Sequence, residues 1–372
     1  MRISLLSITI LALSLSSCVS RPGPGVLQTM GETVEGAEIV TVYAATTRGR
    51  AGPDTNVFTT ERSAEVNYAS FAVSVPPNHV SGRIEWPEQR IDPATTFATL
   101  DQRILTRRGF RDRIVRDQDD DEGVLVFVHG YNTGFEEALY RLVQMAVDAR
   151  VPSTAVLFAW PSQANLTGYM ADRDAVAYSR DALADLLVAL SQERRISEVT
   201  LLAHSMGGHL AIETVRQLRL SGRHDVLDRL NVVLAAPDID KDVFRAQMQV
   251  IGPMEPPLTV LTSPDDRALS VSNRLGGART RVGALDINDP EVQDVVRETG
   301  IALVDISSLE TEDGFRHNRF VTFASLYPQL QETSGAGASD FGIRRAGAFV
   351  FNSVGSALSS PFLSVGEALS SN

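Results

Sequence analysis

Cysteine is all but missing from this chain: one residue in 372, Cys18. A single thiol forms no internal disulfide and builds no cysteine-rich zinc site. Lysine is nearly as scarce, with Lys241 alone among 34 basic residues. Arginine serves a solvated surface about equally well, so that bias carries no functional content. A positive surplus is lacking too. The 46 acidic residues bring the formal net charge to −12, which excludes nucleic-acid binding through a broad basic surface. After the first eighteen residues no apolar run is long enough to span a bilayer, and no internal repeat is visible, so the remainder is expected to be soluble. What is present is an ordinary globular composition, 43% hydrophobic and 22% charged, which rules out collagen-like, coiled-coil and wholly disordered chains. The length suits one large α/β domain with additions.

Residues 1–18 place one positive charge, Arg2, before a short apolar run that ends in small residues and Cys18. The run is too short for a comfortable transmembrane helix and has the order of a signal peptide. Leu15-Ser16-Ser17-Cys18 resembles the bacterial lipoprotein signal, in which the thiol is lipidated and the chain is cut before it. An ordinary cleaved secretory signal is the alternative. Val19 follows the cysteine where an acidic residue would suggest inner-membrane retention. The expectation is therefore a lipid anchor in the outer membrane, facing the periplasm. Residues 19–36, rich in Gly, Pro and Ser, read as a flexible tether, 37–332 as the folded domain, and 333–372 as a Gly/Ser-rich tail with a weak helix near 346–356.

Along the domain, short β-branched runs alternate with helical patterns, which predicts a mostly parallel eight-stranded sheet flanked by helices, an α/β fold. The strands are expected at 39–45, 68–75, 124–128, 155–159, 199–203, 230–235, 258–262 and 302–306, the first two pairing antiparallel. Helices are expected at 134–150, 170–194, 206–220, 240–250 and 290–299. Leu183, Leu186, Leu187 and Leu190 recur at helical spacing and read as a core-facing stripe rather than a partner surface. Residues 92–122, Arg-rich and then acidic, read as a solvated loop. A calcium site there would need a ligand spacing that the carboxylates do not show.

The chemistry gathers around Leu201-Leu202-Ala203-His204-Ser205-Met206-Gly207-Gly208, an apolar strand running through a serine into a helix. This is the context of a nucleophile elbow, G-x-S-x-G, with Ala203 in the first glycine's place. Small neighbours let the turn fit between strand and helix, and the helix N-terminus favours negative charge at the serine. A buried serine that merely caps the helix is the plainer alternative. A serine nucleophile needs a base, and the six histidines can be sorted by position. His79 precedes the regular half of the sheet, His129 belongs to another motif, and His204 should point away from the serine's side chain. His209 lies on the helix flank and His224 beyond it. His317, after the last strand, completes the Ser…Asp…His order, with an ordinary surface histidine as the alternative. The orienting acid has four candidates: Asp265 and Asp266 after the strand at 258–262, and Asp238 and Asp240 after the one before it.

Val124-Leu125-Val126-Phe127-Val128-His129-Gly130-Tyr131-Asn132 ends a buried strand in His-Gly, where glycine allows close approach to a reacting carbonyl. This stretch, with Phe158-Ala159-Trp160-Pro161-Ser162, Ala203-His204-Ser205-Met206-Gly207 and Ala235-Ala236-Pro237-Asp238-Ile239-Asp240, resembles an uncharacterised bacterial α/β-hydrolase family of the esterase/lipase superfamily. The resemblance spans roughly residues 40–327. It implies an α/β-hydrolase fold and a serine hydrolase, a carboxylic ester hydrolase being the leading case. It implies Asp266, three residues after Ser263, as the acid beside His317 and Ser205. It also implies an oxyanion hole from the Tyr131 and Met206 amides. Asn132 and Trp160 are expected near the substrate pocket, although a Trp packed in the core reads equally well. No metal or organic cofactor is implied. The expected partners are an ester or acyl substrate and the membrane. A non-catalytic envelope lipoprotein and an acyltransferase with the same residues are the competing readings.

Overall fold

Three long strands open the domain: β1 (Glu38–Arg50), β2 (Phe58–Val75) and β3 (Ala98–Leu105) form an antiparallel meander. Helix α1 (Arg107–Arg116) then leads into alternating strands and helices. These are β4 (Gly123–Val128), α2 (Phe135–Ala149), β5 (Ser153–Ala159), α3 (Tyr169–Ser191), β6 (Val199–His204), α4 (Met206–Leu220) and the one-turn α5 (His224–Leu227). They continue with β7 (Leu230–Ala235), α6 (Lys241–Ile251), β8 (Thr259–Thr262), α7 (Arg267–Leu275), α8 (Pro290–Thr299), β9 (Ala302–Asp305), α9 (Arg319–Ser325) and the edge strand β10 (Phe362–Ser364). This computed structural model describes residues 21–88, 90–118, 123–150, 153–275, 277–311, 313–326 and 362–364.

All ten strands share one sheet, ordered β10-β9-β8-β7-β6-β4-β5-β1-β2-β3. The eight expected strands lie within it, joined by β3 and β10. From β1 to β10 neighbours run parallel, and β1 is the hinge of direction, parallel to β5 on one side and antiparallel to β2 on the other. All six residues of β4 are buried, as a parallel strand covered on both faces requires. Its alternate side chains feed two apolar layers. Val124, Val126 and Val128 join the core under α3, α4 and α6, whereas Leu125 and Phe127 join the core under α2 and α9. The Leu183, Leu186, Leu187 and Leu190 stripe is buried in the first of these.

The strand order positions the site. The chain leaves β4 for β5 on one side and later returns to β6 on the other. At such a switch point the loops after the two central strands part and leave a crevice at their carboxyl ends. The loops in question follow Val128 and His204.

Two expectations need correction. Residues 21–36 are seated on the domain rather than hanging as a free tether. Leu27 is buried, Tyr140 donates to the Val26 carbonyl at 2.8 Å, and the Met30 amide donates to Thr99 O at 2.9 Å. Apolar Val26 and Leu27 drive that docking. Within 92–122 the expected loop holds β3 and α1. β3 hides its signal by being an edge strand with polar residues at its centre, and α1 buries only Phe110 and Ile114. The acidic run 119–122, the signal peptide with Cys18, and the weak helix near 346–356 lie outside the described residues.

Gly283 ties the β7 and β8 loops together, its N–H donating to Pro237 O at 3.0 Å and its carbonyl accepting from Ser263 at 2.8 Å. A Cβ there would stand 2.4 Å from the Ala236 carbonyl carbon and 2.7 Å from Leu269. Gly283→Ala is expected to cost about 1–3 kcal/mol, seen as a lower urea midpoint at unchanged m-value. An unaltered midpoint would show that this junction yields without strain.

Candidate active site

Ser205 ends β6 in a turn of φ 54° and ψ −122°, and α4 starts at the next residue. Its amide donates to Ala235 O at 2.9 Å, and its carbonyl accepts from Gly208 at 2.9 Å and Asp238 at 3.1 Å. The hydroxyl makes no capping bond to α4, so it is not spent on the helix. The turn is passable because its neighbours are small. A Cβ on Gly207 would lie 2.4 Å from His129 O, and one on Gly130 would lie 2.8 Å from His204 Nδ1 and 3.0 Å from Ser205 Cβ. Ala203 fits the first position because it lies inside the sheet, in register with Val128 and Leu234.

His317 lies in the loop between β9 and α9, and its Nδ1 stands 2.6 Å from Asp266 Oδ2. Asp266 is wholly buried, and its other oxygen accepts from the Leu269 amide at 2.9 Å, at the start of α7. Of the four aspartates weighed, Asp266 alone reaches that ring. Asp265 pairs with Arg319 and with Arg316, and its hydrogen bond to Arg319 holds its carboxyl far below the usual carboxylate range. Asp238 is buried against Arg281 at 3.2 Å and accepts from the Tyr169 hydroxyl at 2.9 Å. Asp240 caps α6, accepting from the Asp242 and Val243 amides. The loop carrying His317 is itself fastened, since Asp313 accepts from the His317 amide at 2.9 Å.

The other histidines are engaged elsewhere or play supporting parts. His79 sits between Glu85 and Asp148, and His224 meets Arg219. Burial lowers His209. The His204 ring lies beside His317, 4.5 Å between centroids, and stacks on Phe320. Burial holds it well below its ordinary value, so it is neutral, and its Nε2 donates to His317 O at 3.2 Å. Its place directly before the serine was the signal for this contact.

The loop after β4 is braced from beneath. Asn132 takes φ 56°, and its amide donates to Asp172 Oδ2 at 3.3 Å. The same carboxylate accepts from the Ser162 hydroxyl at 2.6 Å, and its partner oxygen accepts from Gln163 at 2.6 Å. Arg48, also buried, donates to Thr133 O at 2.9 Å and Ser162 O at 3.2 Å. Burial lowers Arg48 to about 10 and raises Asp172. Neither residue was a candidate from sequence, since β1 and α3 carry no motif there. Met206 opens α4, so its N–H is among the first-turn amides without an intrahelical acceptor.

These parts share one cavity of about 640 Å³, lined by Ser205, His317, Gly130, Tyr131 and Asn132 with walls from Trp86, Tyr169, Leu269 and Phe320. Trp160 is not among them, which corrects its expected place. It is wholly buried below the loop, its indole donating to His129 O at 2.8 Å, with the His129 ring stacked on it at 4.9 Å. A large ring with one polar atom finds both burial and a partner there.

Burial, reinforced by the Arg48 charge, pushes His129 from 6.5 down to about 3. The unfolded chain therefore binds more protons than the native one between those values, and stability falls as pH drops through that window. His129→Gln is expected to flatten the fall. Urea midpoints at pH 7 and about pH 4.5 measure it. Equal slopes in both proteins would contradict a neutral buried His129.

Among solved structures the chain is similar to an esterase of Pyrobaculum calidifontis, at 13% identity over 81% of this chain and 87% of that one, with a TM-score of 0.33. It is similar to a fungal esterase of Rhizomucor miehei at 12% identity, over 78% and 85%, with a TM-score of 0.32. It is also similar to an inhibited esterase B of Lactobacillus rhamnosis at 12% identity, over 82% and 92%, with a TM-score of 0.34. No curated protein sequence matches significantly. Residues 106–333 match the family described as alpha/beta hydrolase of unknown function (DUF900). That span is more than half of the chain and contains Ser205, Asp266 and His317 together with every strand from β4 to β9. The chain belongs to this family of alpha/beta hydrolases.

Proposed function

We propose that this hydrolase cleaves carboxylic esters through an acyl-enzyme on Ser205. The observation that carries the reading is the 2.6 Å contact between buried Asp266 and His317 Nδ1, at a cavity shared with a serine whose hydroxyl is free of the helix. His317 Nε2 takes the hydroxyl proton as Ser205 Oγ attacks the carbonyl carbon. Asp266 fixes the ring's tautomer and stabilises the imidazolium that forms. The amides of Tyr131 and Met206 receive the oxyanion, where developing charge also meets the N-terminus of α4. His317 then gives its proton to the leaving alcohol. A water molecule, deprotonated by the same nitrogen, releases the acid and restores Ser205.

A binding protein that merely kept the fold would have no use for a buried carboxylate aimed at an imidazole. Arg48 and Asp172 act as positioning residues, holding the Gly130–Thr133 backbone against the cavity. We also propose that the chain is a lipoprotein, lipidated on Cys18 and facing the periplasm from the outer membrane. The Leu15-Ser16-Ser17-Cys18 pattern supports it.

A fluorophosphonate probe is expected to label folded protein on Ser205 and to fail on Ser205→Ala. Asp266→Asn should lower kcat/KM by roughly 10³–10⁴, against less than about tenfold for Asp238→Asn. No labelling at any pH from about 6 to 9, or equal small losses in both variants, would overturn the assignment. For the anchor, Cys18→Ser is expected to release the protein from the membrane fraction. Undiminished membrane association would refute lipidation.

A further inference from the structure

Large apolar side chains exposed singly need no explanation, but here they gather at one opening. Leu166 is 76% exposed, Leu275 64%, Phe315 57% and Val271 48%, and all four also line the catalytic cavity. Met170, 68% exposed, stands one residue beyond the cavity wall at Tyr169. The five come from three segments locked to one another around the mouth. Tyr131 donates to Leu166 O at 2.6 Å, Tyr169 meets Ser272 of α7 at 3.0 Å, and the Arg267 amide donates to Phe315 O at 2.9 Å. The apolar rim is thus a fixed surface, continuous with the cavity that holds Ser205.

The N-terminal segment ends at the same place. The Arg21 guanidinium donates to the carbonyls of Asn132 and Ala164 and stands 3.6 Å from Glu137. Asn132 and Glu137 line the cavity, and Ala164 lies two residues from Leu166. Cys18 is three residues before Arg21, a reach of about 10 Å at full extension. Acyl chains on Cys18 would therefore enter a bilayer within about 10 Å of the Arg21 backbone, on the side of the domain where Arg21 meets the cavity-lining loop.

We propose that the rim of Leu166, Met170, Val271, Leu275 and Phe315 is a lipid-docking surface that seats the cavity mouth on the bilayer anchoring Cys18. The substrate class is then an acyl ester carried by a membrane lipid. This deepens the ester-hydrolase reading and rests on it and on the anchor. The acyl chain passes from bilayer to apolar cavity without crossing water. Ser205 Oγ forms the new bond to the acyl carbon and the bond to the lipid's ester oxygen breaks. The deacylated lipid leaves with the proton from His317, and water releases the fatty acid.

The mature lipidated chain carries no cysteine other than Cys18, so an introduced cysteine is the one free thiol. Leu166→Cys, Met170→Cys and Leu275→Cys, made in the full-length protein and processed normally, are labelled with a polarity-sensitive fluorophore. They are reconstituted into phosphatidylethanolamine/phosphatidylglycerol vesicles. Leu220→Cys is the control, an exposed residue at the far end of α4, about 20 Å from Ser205 along the helix axis. The three rim labels are expected to shift to the blue and be quenched by a lipid-borne nitroxide, and the Leu220 label to do neither. Four labels equally exposed to water, or protein recovered free of the vesicles, would overturn the proposal.

A second measurement compares hydrolysis of a vesicle-borne phospholipid with that of p-nitrophenyl acetate. Met170→Glu, which lies outside the cavity lining, is expected to slow the first by about tenfold or more and the second by less than about twofold. Equal loss on both substrates, or none on either, would refute docking through this rim. The labels report insertion without any turnover, so a rim that inserts in an inert protein removes the hydrolase reading alone. Turnover of the soluble ester with the rim in water removes the docking alone.

Discussion

The backbone at Ser205, at φ 54° and ψ −122°, occupies a region that costs an L-residue on the order of 1–3 kcal/mol. Three main-chain hydrogen bonds hold it there, to Ala235, Gly208 and Asp238, so the strain is met by β7 and by the loop that follows it. Those contacts in turn need Gly207 and Gly130 as glycines, since a Cβ on either would press on the neighbouring loop or on the serine itself. The register of β6 against β4 and β7 places that turn in the crevice where the strand order reverses. A relaxed turn would withdraw the hydroxyl from the cavity that Ser205 and His317 both line.

Two buried ionisable groups of opposite sign do for the β4 loop what those bonds do for the serine. Arg48 from β1 and Asp172 from α3 meet at Ser162, one on its carbonyl and the other on its hydroxyl. Each also grips the loop, Arg48 through the Thr133 carbonyl and Asp172 through the Asn132 amide. Burying charge is expensive unless it is paired and bonded, and removing one partner leaves the other uncompensated. The arrangement therefore resists deformation. That is useful in a loop proposed to receive an oxyanion, because donors already in position need no reorganisation as charge develops.

Much of this is legible in the amino-acid sequence alone. β4 announces itself as an unbroken apolar run, and β6 and β7 as nearly unbroken ones interrupted by Thr200 and Asn231, because both of their faces are covered. The elbow is legible because sterics restrict what can flank a serine in such a turn. Legibility fails where the deciding contact is long-range. Asp265 and Asp266 are adjacent and alike in sequence. Their fates separate because one turns outward to Arg316 and Arg319, while the other turns inward to cap α7 and meet His317. Arg48 and Asp172 lie far apart in the chain, on β1 and α3, with no local pattern to mark them. The seated N-terminal segment was hidden for a related reason: its Gly- and Pro-rich composition describes a free chain well, and two apolar residues suffice to dock it.

The charge balance bears on how such a domain would sit at a membrane. With a net charge of −12 the chain gains nothing from long-range attraction to an anionic lipid surface, and repulsion acts within a Debye length of about 8–10 Å. Electrostatic recruitment is thereby removed as a driving force. What remains is the proposed covalent anchor and the apolar rim, and the two would have complementary ranges. Acyl chains on Cys18, if attached as proposed, would supply a high local concentration without fixing orientation. The rim makes only short-range contacts but makes them in one orientation. Arg21 would join the two, since it fastens the N-terminal segment to the Asn132 and Ala164 carbonyls, the second of them two residues from Leu166. Orientation in this proposed arrangement would be set by the rim beside the point where the chain leaves the fold, not by the sign of its surface.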